Sequence, residues 1–170
     1  MKQRKRNRLK EFDYSQTGYY FITICTHNMI NFFGNVIDGN MKLNLYGDIV
    51  RNKLTLLQNS YPYVELDELV IMPNHIHAIL IIDNFVKNVR TGRDLSLPIK
   101  TKSLSELVGV FKTISSKEIH NSGLSEFKWQ RSFYDRVIRN EKELFQIRKY
   151  IMQNPLKWEI EKGNIENIML

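Results

Sequence analysis

The stretch Leu69–Leu80, L-V-I-M-P-N-H-I-H-A-I-L, decides how the rest of the chain is read. It is an apolar run broken once, at Pro73-Asn74, and it holds two histidines with one aliphatic residue between them. Alternate side chains of a β-strand share a face. His75 and His77 therefore project together, while Ile76, Ala78 or Ile79, and Leu80 are available to the core. Two imidazoles side by side on a rigid strand form a ready pair of ligands for a divalent ion. Taken alone, H-x-H fits two half-buried polar residues at a strand rim equally well. The surrounding sequence has to separate the two readings.

Pro73 lacks a backbone donor, so a bend, bulge or tight turn is expected between a strand at Val64–Met72 and another at His75–Ile82. Upstream, Gly18–Cys25 (G-Y-Y-F-I-T-I-C) is aromatic and β-branched, the composition of a first strand. Asp38-Gly39, between Asn35–Asp38 and Asn40–Asn44, signals a hairpin turn. Val50, Leu54 and Leu57 stand at helical spacing within Tyr46–Asn59, and Tyr61-Pro62-Tyr63 ends that helix.

Downstream, Ser103 opens S-L-S-E, a capping box with Glu106. Leu107, Val110, Phe111 and Ile114 then make the apolar stripe of a helix running to about His120. A short strand is expected at the end of Phe127–Arg139. Asn140, with Glu143 three residues on, starts a last helix whose buried stripe is Leu144, Ile147 and Ile151. Tyr150 and Asn154 lie one turn apart near the same face. Pro155 disfavours helical geometry at Asn154, so the helix is expected to end there, with Trp158 and Ile160 as anchors for the remainder of the chain. This order of elements predicts a ferredoxin-like α+β fold, an antiparallel sheet covered by helices, with the histidine pair on a middle strand.

A chain of 170 residues, 42% hydrophobic, fits a single domain spanning residues 1–170. Its net charge of +7 and pI near 9.5 favour a polyanionic partner, nucleic acid ahead of a membrane surface. Cys25 is the one cysteine, which excludes an intrachain disulfide and a cysteine-rich zinc site. No apolar run approaches the roughly 18 residues of a membrane span, and no signal-peptide pattern opens the chain. A soluble, intracellular protein without a membrane partner is expected.

Three basic regions are candidates for phosphate contact. Residues 1–10 read as a flexible arm carrying Arg4, Lys5, Arg6 and Arg8. Residues 83–102 read as a mobile loop holding Lys87, Arg90, Arg93, Lys100 and Lys102. Phe127–Arg139 interleaves aromatic and basic residues, a composition suited to unpaired bases and phosphates. There Trp129, Phe133 and Val137 are expected to face inward, and Arg131, Arg136 and Arg139 to be exposed. His27 and His120 read as surface residues, and Glu65, Asp67 and Glu68 as solvated charges.

The blocks M-P-N-H-I-H, W-Q-R-S-F-Y-D-R-V-I-R-N and Y-I-M-Q-N-P, in this order, resemble the REP-associated tyrosine transposases. These form a branch of the single-tyrosine HUH transposases, and the resemblance runs from the first strand to about Trp158. It implies a strand transferase acting on single-stranded DNA that carries a foldback hairpin. Mg²⁺ or Mn²⁺ would be held by His75 and His77, with Asn154 as third ligand and Gln153 as the next choice. Tyr150 matches the nucleophile, forming a 5′-phosphotyrosine and freeing a 3′-OH that later rejoins strands. Tyr134 is the competing tyrosine, for which packing or base stacking is the preferred role. The resemblance implies a monomer or homodimer in the cytoplasm of a prokaryotic cell, at the nucleoid. Two other readings stay open: a rolling-circle replication initiator or relaxase of the same chemistry, and a non-catalytic nucleic-acid-binding module on the same fold.

Overall fold

The computed structural model describes residues 13–83 and 101–168, with side chains described as far as residue 161. The basic arm with Arg4, Lys5, Arg6 and Arg8, and nearly all of the loop 83–102, lie outside the described residues. The elements in chain order are β1 (Gly18–Cys25), a 3₁₀ turn (His27–Met29), β2 (Gly34–Ile37), β3 (Asn40–Leu43), α1 (Leu45–Ser60), β4 (Val64–Ile71), β5 (His75–Ile82), α2 (Leu104–Asn121), β6 (Tyr134–Ile138) and α3 (Glu141–Ile168).

Four strands form one antiparallel sheet in the order β4-β5-β1-β6, and β2 and β3 pair as a separate hairpin. The ferredoxin-like α+β plan expected from the sequence is the observed architecture, and β5 is a middle strand. The hairpin turns at Asp38 and Gly39, which both take positive φ (51° and 67°), as an Asp-Gly turn between twisted strands requires.

Strand alternation divides the core in two. Tyr20, Ile22 and Ile24 of β1 join Ile76, Ala78, Leu80 and Ile82 of β5 in the larger core, with Val50, Leu54 and Leu57 of α1 and Leu107, Val108 and Phe111 of α2. The opposite face carries Ile79, which packs with Ile138, Ile147 and Ile151 in a second core beneath α3. This settles the Ala78 or Ile79 alternative, because the two point to opposite sides. The α2 stripe is turned from expectation as well. Val108 is buried, whereas Val110 is only partly so.

Local signals explain most helix boundaries. Asn44 caps α1 by accepting from the amides of Tyr46 and Gly47, and Ser103 with Glu106 forms the expected capping box of α2. Asn140 Oδ1 accepts from the Glu143 amide at 2.9 Å at the start of α3. The expected stop at Asn154 is wrong, since α3 continues through Pro155 to Ile168. Proline removes one helical hydrogen bond, but contacts on both sides of it hold the helix. Ile151 is buried in the second core before it, and beyond it Glu159 Oε2 accepts from the Gly39 amide at 2.6 Å. A Cβ at Gly39 would lie 3.2 Å from Leu156 Cδ1, so glycine also lets the hairpin tip approach α3 closely.

Candidate active site

Pro73 and Asn74 form a tight turn between β4 and β5, closed by a 2.8 Å bond from the Met72 amide to His75 O. The turn is tied down from outside. Pro73 O accepts from the Phe32 and Phe33 amides, and Asn74 O accepts from the Thr26 amide and hydroxyl. His75 and His77 leave this turn on one face of β5, with ring centroids 4.6 Å apart. They point toward α3, on the side of the second core.

Each ring is oriented through its Nδ1. Asn74 Nδ2 donates to Met29 O, so its Oδ1 is the atom facing His75 Nδ1, at 2.7 Å. An amide oxygen only accepts, so His75 Nδ1 carries the proton and its Nε2 keeps a free lone pair. Thr23, paired with His77 across β1 and β5, places its hydroxyl 2.8 Å from His77 Nδ1. Phe21 stacks against the His77 ring, with centroids 5.4 Å apart and planes at 27°.

Burial keeps both rings neutral. It pushes the His75 imidazole down to about 4. His77 is pushed down to about 3, by burial first and by the neighbouring His75 second. A neutral imidazole with an unprotonated ring nitrogen is the form that binds a metal ion, and the His75 tautomer leaves its Nε2 in that state.

α3 closes the site from above. The Tyr150 hydroxyl lies 3.3 Å from His77 Nε2, and Trp158 packs on His75 with ring centroids 5.7 Å apart. Tyr150, Asn154 and Trp158 follow at four-residue spacing on one helix face. Asn154 thus stands one turn from each of the two contacts, and it is buried (7% exposed). Gln153, the other amide considered, is exposed on the outer side of the helix beside Lys149 and Lys157.

Among the described residues no group of three His, Cys, Asp or Glu is placed to hold a metal ion. Asn154, buried one helical turn from Tyr150, carries an amide oxygen that could complete a donor set with the two imidazoles. Two imidazole nitrogens and an amide oxygen are donors that a first-row divalent ion accepts, whereas Mg²⁺ favours oxygen donors and water.

Two contacts that sequence reasoning missed hold α3 over the sheet. The pairing of β4 with β5 shifts between Leu66 and Leu69, a bulge that contains Asp67. Asp67 takes a two-pronged bond from Arg148, Nε to Oδ2 at 2.8 Å and Nη2 to Oδ1 at 2.6 Å. Asp67 is therefore a helix anchor and not a solvated charge. Nothing in the local sequence marks it, because the partner lies 81 positions away. Arg136 Nε likewise pairs with Glu143 Oε1 at 2.6 Å, linking β6 to the first turn of α3.

Arg131 and Arg139 are exposed, and Arg136 keeps a side chain 67% exposed despite its ion pair. Trp129 and Phe133 are buried and Val137 half-buried, as expected of inward-facing residues. His27 and His120 are exposed, with His120 Nε2 2.8 Å from Phe127 O.

The chain is thus a ferredoxin-like α+β protein whose last helix lays a tyrosine over a His-x-His strand. Known proteins narrow that class. The chain is 39% identical over 163 residues to an uncharacterized protein of Haemophilus influenzae, covering 92% of this chain and 90% of that protein, and belongs to one family with it. It is 24% identical over 152 residues to a protein of the same organism named "Putative REP-associated tyrosine transposase", covering 85% of this chain and 74% of that one. A solved structure of a REP-associated tyrosine transposase bound to a REP hairpin matches with a TM-score of 0.59 at 21% identity, over 88% of this chain and 73% of that one. No protein-family model matches. The chain resembles the REP-associated tyrosine transposases in sequence and fold. No helix among the described residues is long and apolar enough to cross a membrane.

Proposed function

We propose that the protein is a metal-dependent single-stranded DNA endonuclease and strand transferase, a transposase that cleaves near foldback hairpins through a 5′-phosphotyrosine on Tyr150. The observation that carries this reading is the approach of the Tyr150 hydroxyl to within 3.3 Å of His77 Nε2, with buried Asn154 one turn further along the helix.

His75, His77 and Asn154 would hold Mg²⁺ or Mn²⁺, which when bound polarises a phosphoryl oxygen and lowers its resistance to attack. All three donors are neutral, so the charge of the ion is left for the phosphate. Tyr150 is delivered by a helix held at Asp67 and Gly39, so its oxygen meets the site in a restricted direction. Attack of that oxygen on phosphorus forms the phosphotyrosine bond and breaks the bond to the 3′ oxygen; the phenolic proton is given up to solvent, and the 3′ oxygen takes one up and leaves as a 3′-OH. The ester conserves the energy needed for rejoining, when a 3′-OH attacks the same phosphorus and Tyr150 is released. The partner implied is single-stranded DNA with hairpin structure, by analogy with the REP hairpin bound in the similar solved structure.

The test is incubation with a hairpin-bearing oligonucleotide and Mn²⁺ or Mg²⁺. A covalent adduct that forms with the wild type, and is lost with chelator and in Tyr150→Phe, is the expected result. Strand binding that survives chelator, with no adduct under any metal, would instead favour a non-catalytic binding module.

A further inference from the structure

The segment 127–139 contains four aromatic residues, and three of them are consumed by the core. Phe127 is fully buried, Trp129 is 9% exposed and Phe133 is 6% exposed. Phe127 and Trp129 pack on each other and on Phe33. Tyr134 is different. It is 50% exposed, and its place in the sheet is defined by pairing with Thr23.

Thr23 pairs in turn with His77 on its other side. His77, Thr23 and Tyr134 therefore form one row across β5, β1 and β6, with all three side chains on the face beneath α3. Strands lie about 4.8 Å apart, so Tyr134 stands roughly 10 Å from His77 along this row. β6 is an edge strand, and the Tyr134 ring is half exposed on it. Arg136, two residues on, shares that face and keeps most of its side chain exposed. The approach to Tyr134 is also firmly built. Lys112 Nζ donates to the carbonyls of Gln130 (2.8 Å), Arg131 (3.4 Å) and Ser132 (3.2 Å) and sits 5.8 Å over the Phe133 ring.

We infer that Tyr134 is a stacking platform for an unpaired nucleobase close to the phosphate that reacts at Tyr150. An exposed ring on a rigid strand loses little entropy when a base lies on it, and every base offers a face to stack. The row from His77 sets how far along the strand that base stands from the scissile phosphate. Arg136 lies where the adjoining phosphate would be met. This inference rests on the single-strand DNA reading proposed above and adds a subsite to it.

The experiment measures binding of a hairpin oligonucleotide with a single-stranded flank, in a Tyr150→Phe background so that no cleavage intervenes. Tyr134→Ala, Tyr134→Phe and Tyr134→Trp are compared, each checked by circular dichroism. A set of oligonucleotides with one abasic position moved along the flank is run in parallel. Loss of stacking on one base corresponds to an affinity loss of about 5- to 150-fold. Tyr134→Ala is expected to show a loss in that range and the aromatic variants to retain binding. One abasic position should produce the same loss in the Tyr134 background and add nothing to it in Tyr134→Ala.

Equal affinity of Tyr134→Ala and its parent, with the wild-type protein still forming its adduct, overturns the platform and leaves the functional reading standing. Adduct formation lost in Tyr134→Phe but kept in Tyr150→Phe would make Tyr134 the nucleophile and overturn both. A wild type that neither binds nor cleaves the strand removes the functional reading, and the platform with it.

Discussion

The hydroxyl of Tyr150 and Nε2 of His77 lie 3.3 Å apart although 73 positions separate them in the chain. The contact joins the last helix to the central strand, and two anchors enforce it. Asp67 holds Arg148, two residues before the tyrosine, and the Gly39 amide holds Glu159, nine residues after it. The consequences can be tested one contact at a time.

Tyr150 is 40% exposed and its hydroxyl has a single described partner, so Tyr150→Phe should leave the fold intact. The variant is expected to bind the hairpin oligonucleotide but to form no covalent adduct on a denaturing gel, because the attacking oxygen is gone. An adduct of wild-type yield would dismiss Tyr150 as the nucleophile.

Thr23 orients His77 through the 2.8 Å contact at Nδ1. Partners behind a metal-binding histidine typically contribute 10- to 100-fold to metal affinity. Thr23→Val is therefore expected to weaken Mn²⁺ binding by about that factor in calorimetry, and Thr23→Ser, which keeps the hydroxyl, to weaken it far less. Indistinguishable titrations for Val and Ser would reject this role for the hydroxyl.

The Arg148–Asp67 pair is partly open, with the Arg148 side chain 38% exposed, so solvent screening limits its strength. Breaking it is expected to cost about 1 kcal/mol, a fall in melting temperature of about 2–4 °C for a chain of this size. Because it positions the nucleophile's helix, adduct formation should drop more than stability does. In a double-mutant cycle with Asp67→Asn and Arg148→Gln, the second substitution should add little to the first. Full additivity would mean that the pair does not act as a unit.

The histidine pair sets a pH dependence of stability with a definite sign. The ordinary imidazole value is 6.5, and burial lowers it to about 4 for His75 and about 3 for His77 in the folded protein. As pH falls below 6.5 the unfolded chain takes up protons that the folded chain refuses. Stability is thus whole above 6.5, declines as pH drops toward 4, and levels off below about 3, where both forms are charged. Going from about pH 7 to about pH 5, each imidazole should account for up to about 2 kcal/mol of lost stability. Urea denaturation of the metal-free protein at these two values measures it. A His75→Gln, His77→Gln variant should lose most of that slope, and an unchanged slope would place the acid sensitivity elsewhere.

Much of the architecture was legible in the chain because it depends on neighbours in sequence. The two-residue alternation of H-I-H put both imidazoles on one face of β5, Asp38-Gly39 turned the hairpin, and Ser103 with Glu106 opened α2. The four-residue spacing of Tyr150 and Asn154 placed them on one side of a helix. Other features depend on side chains brought together from distant segments. The continuation of α3 past Pro155, the Asp67–Arg148 anchor, the hydrogen bonds of Thr23 and Asn74 to the two rings, and the row that joins Tyr134 to His77 are of this kind. Period and turn chemistry are local and can be read along the chain. Register across a sheet and the seat of a helix are set by packing, and only the folded protein decides them.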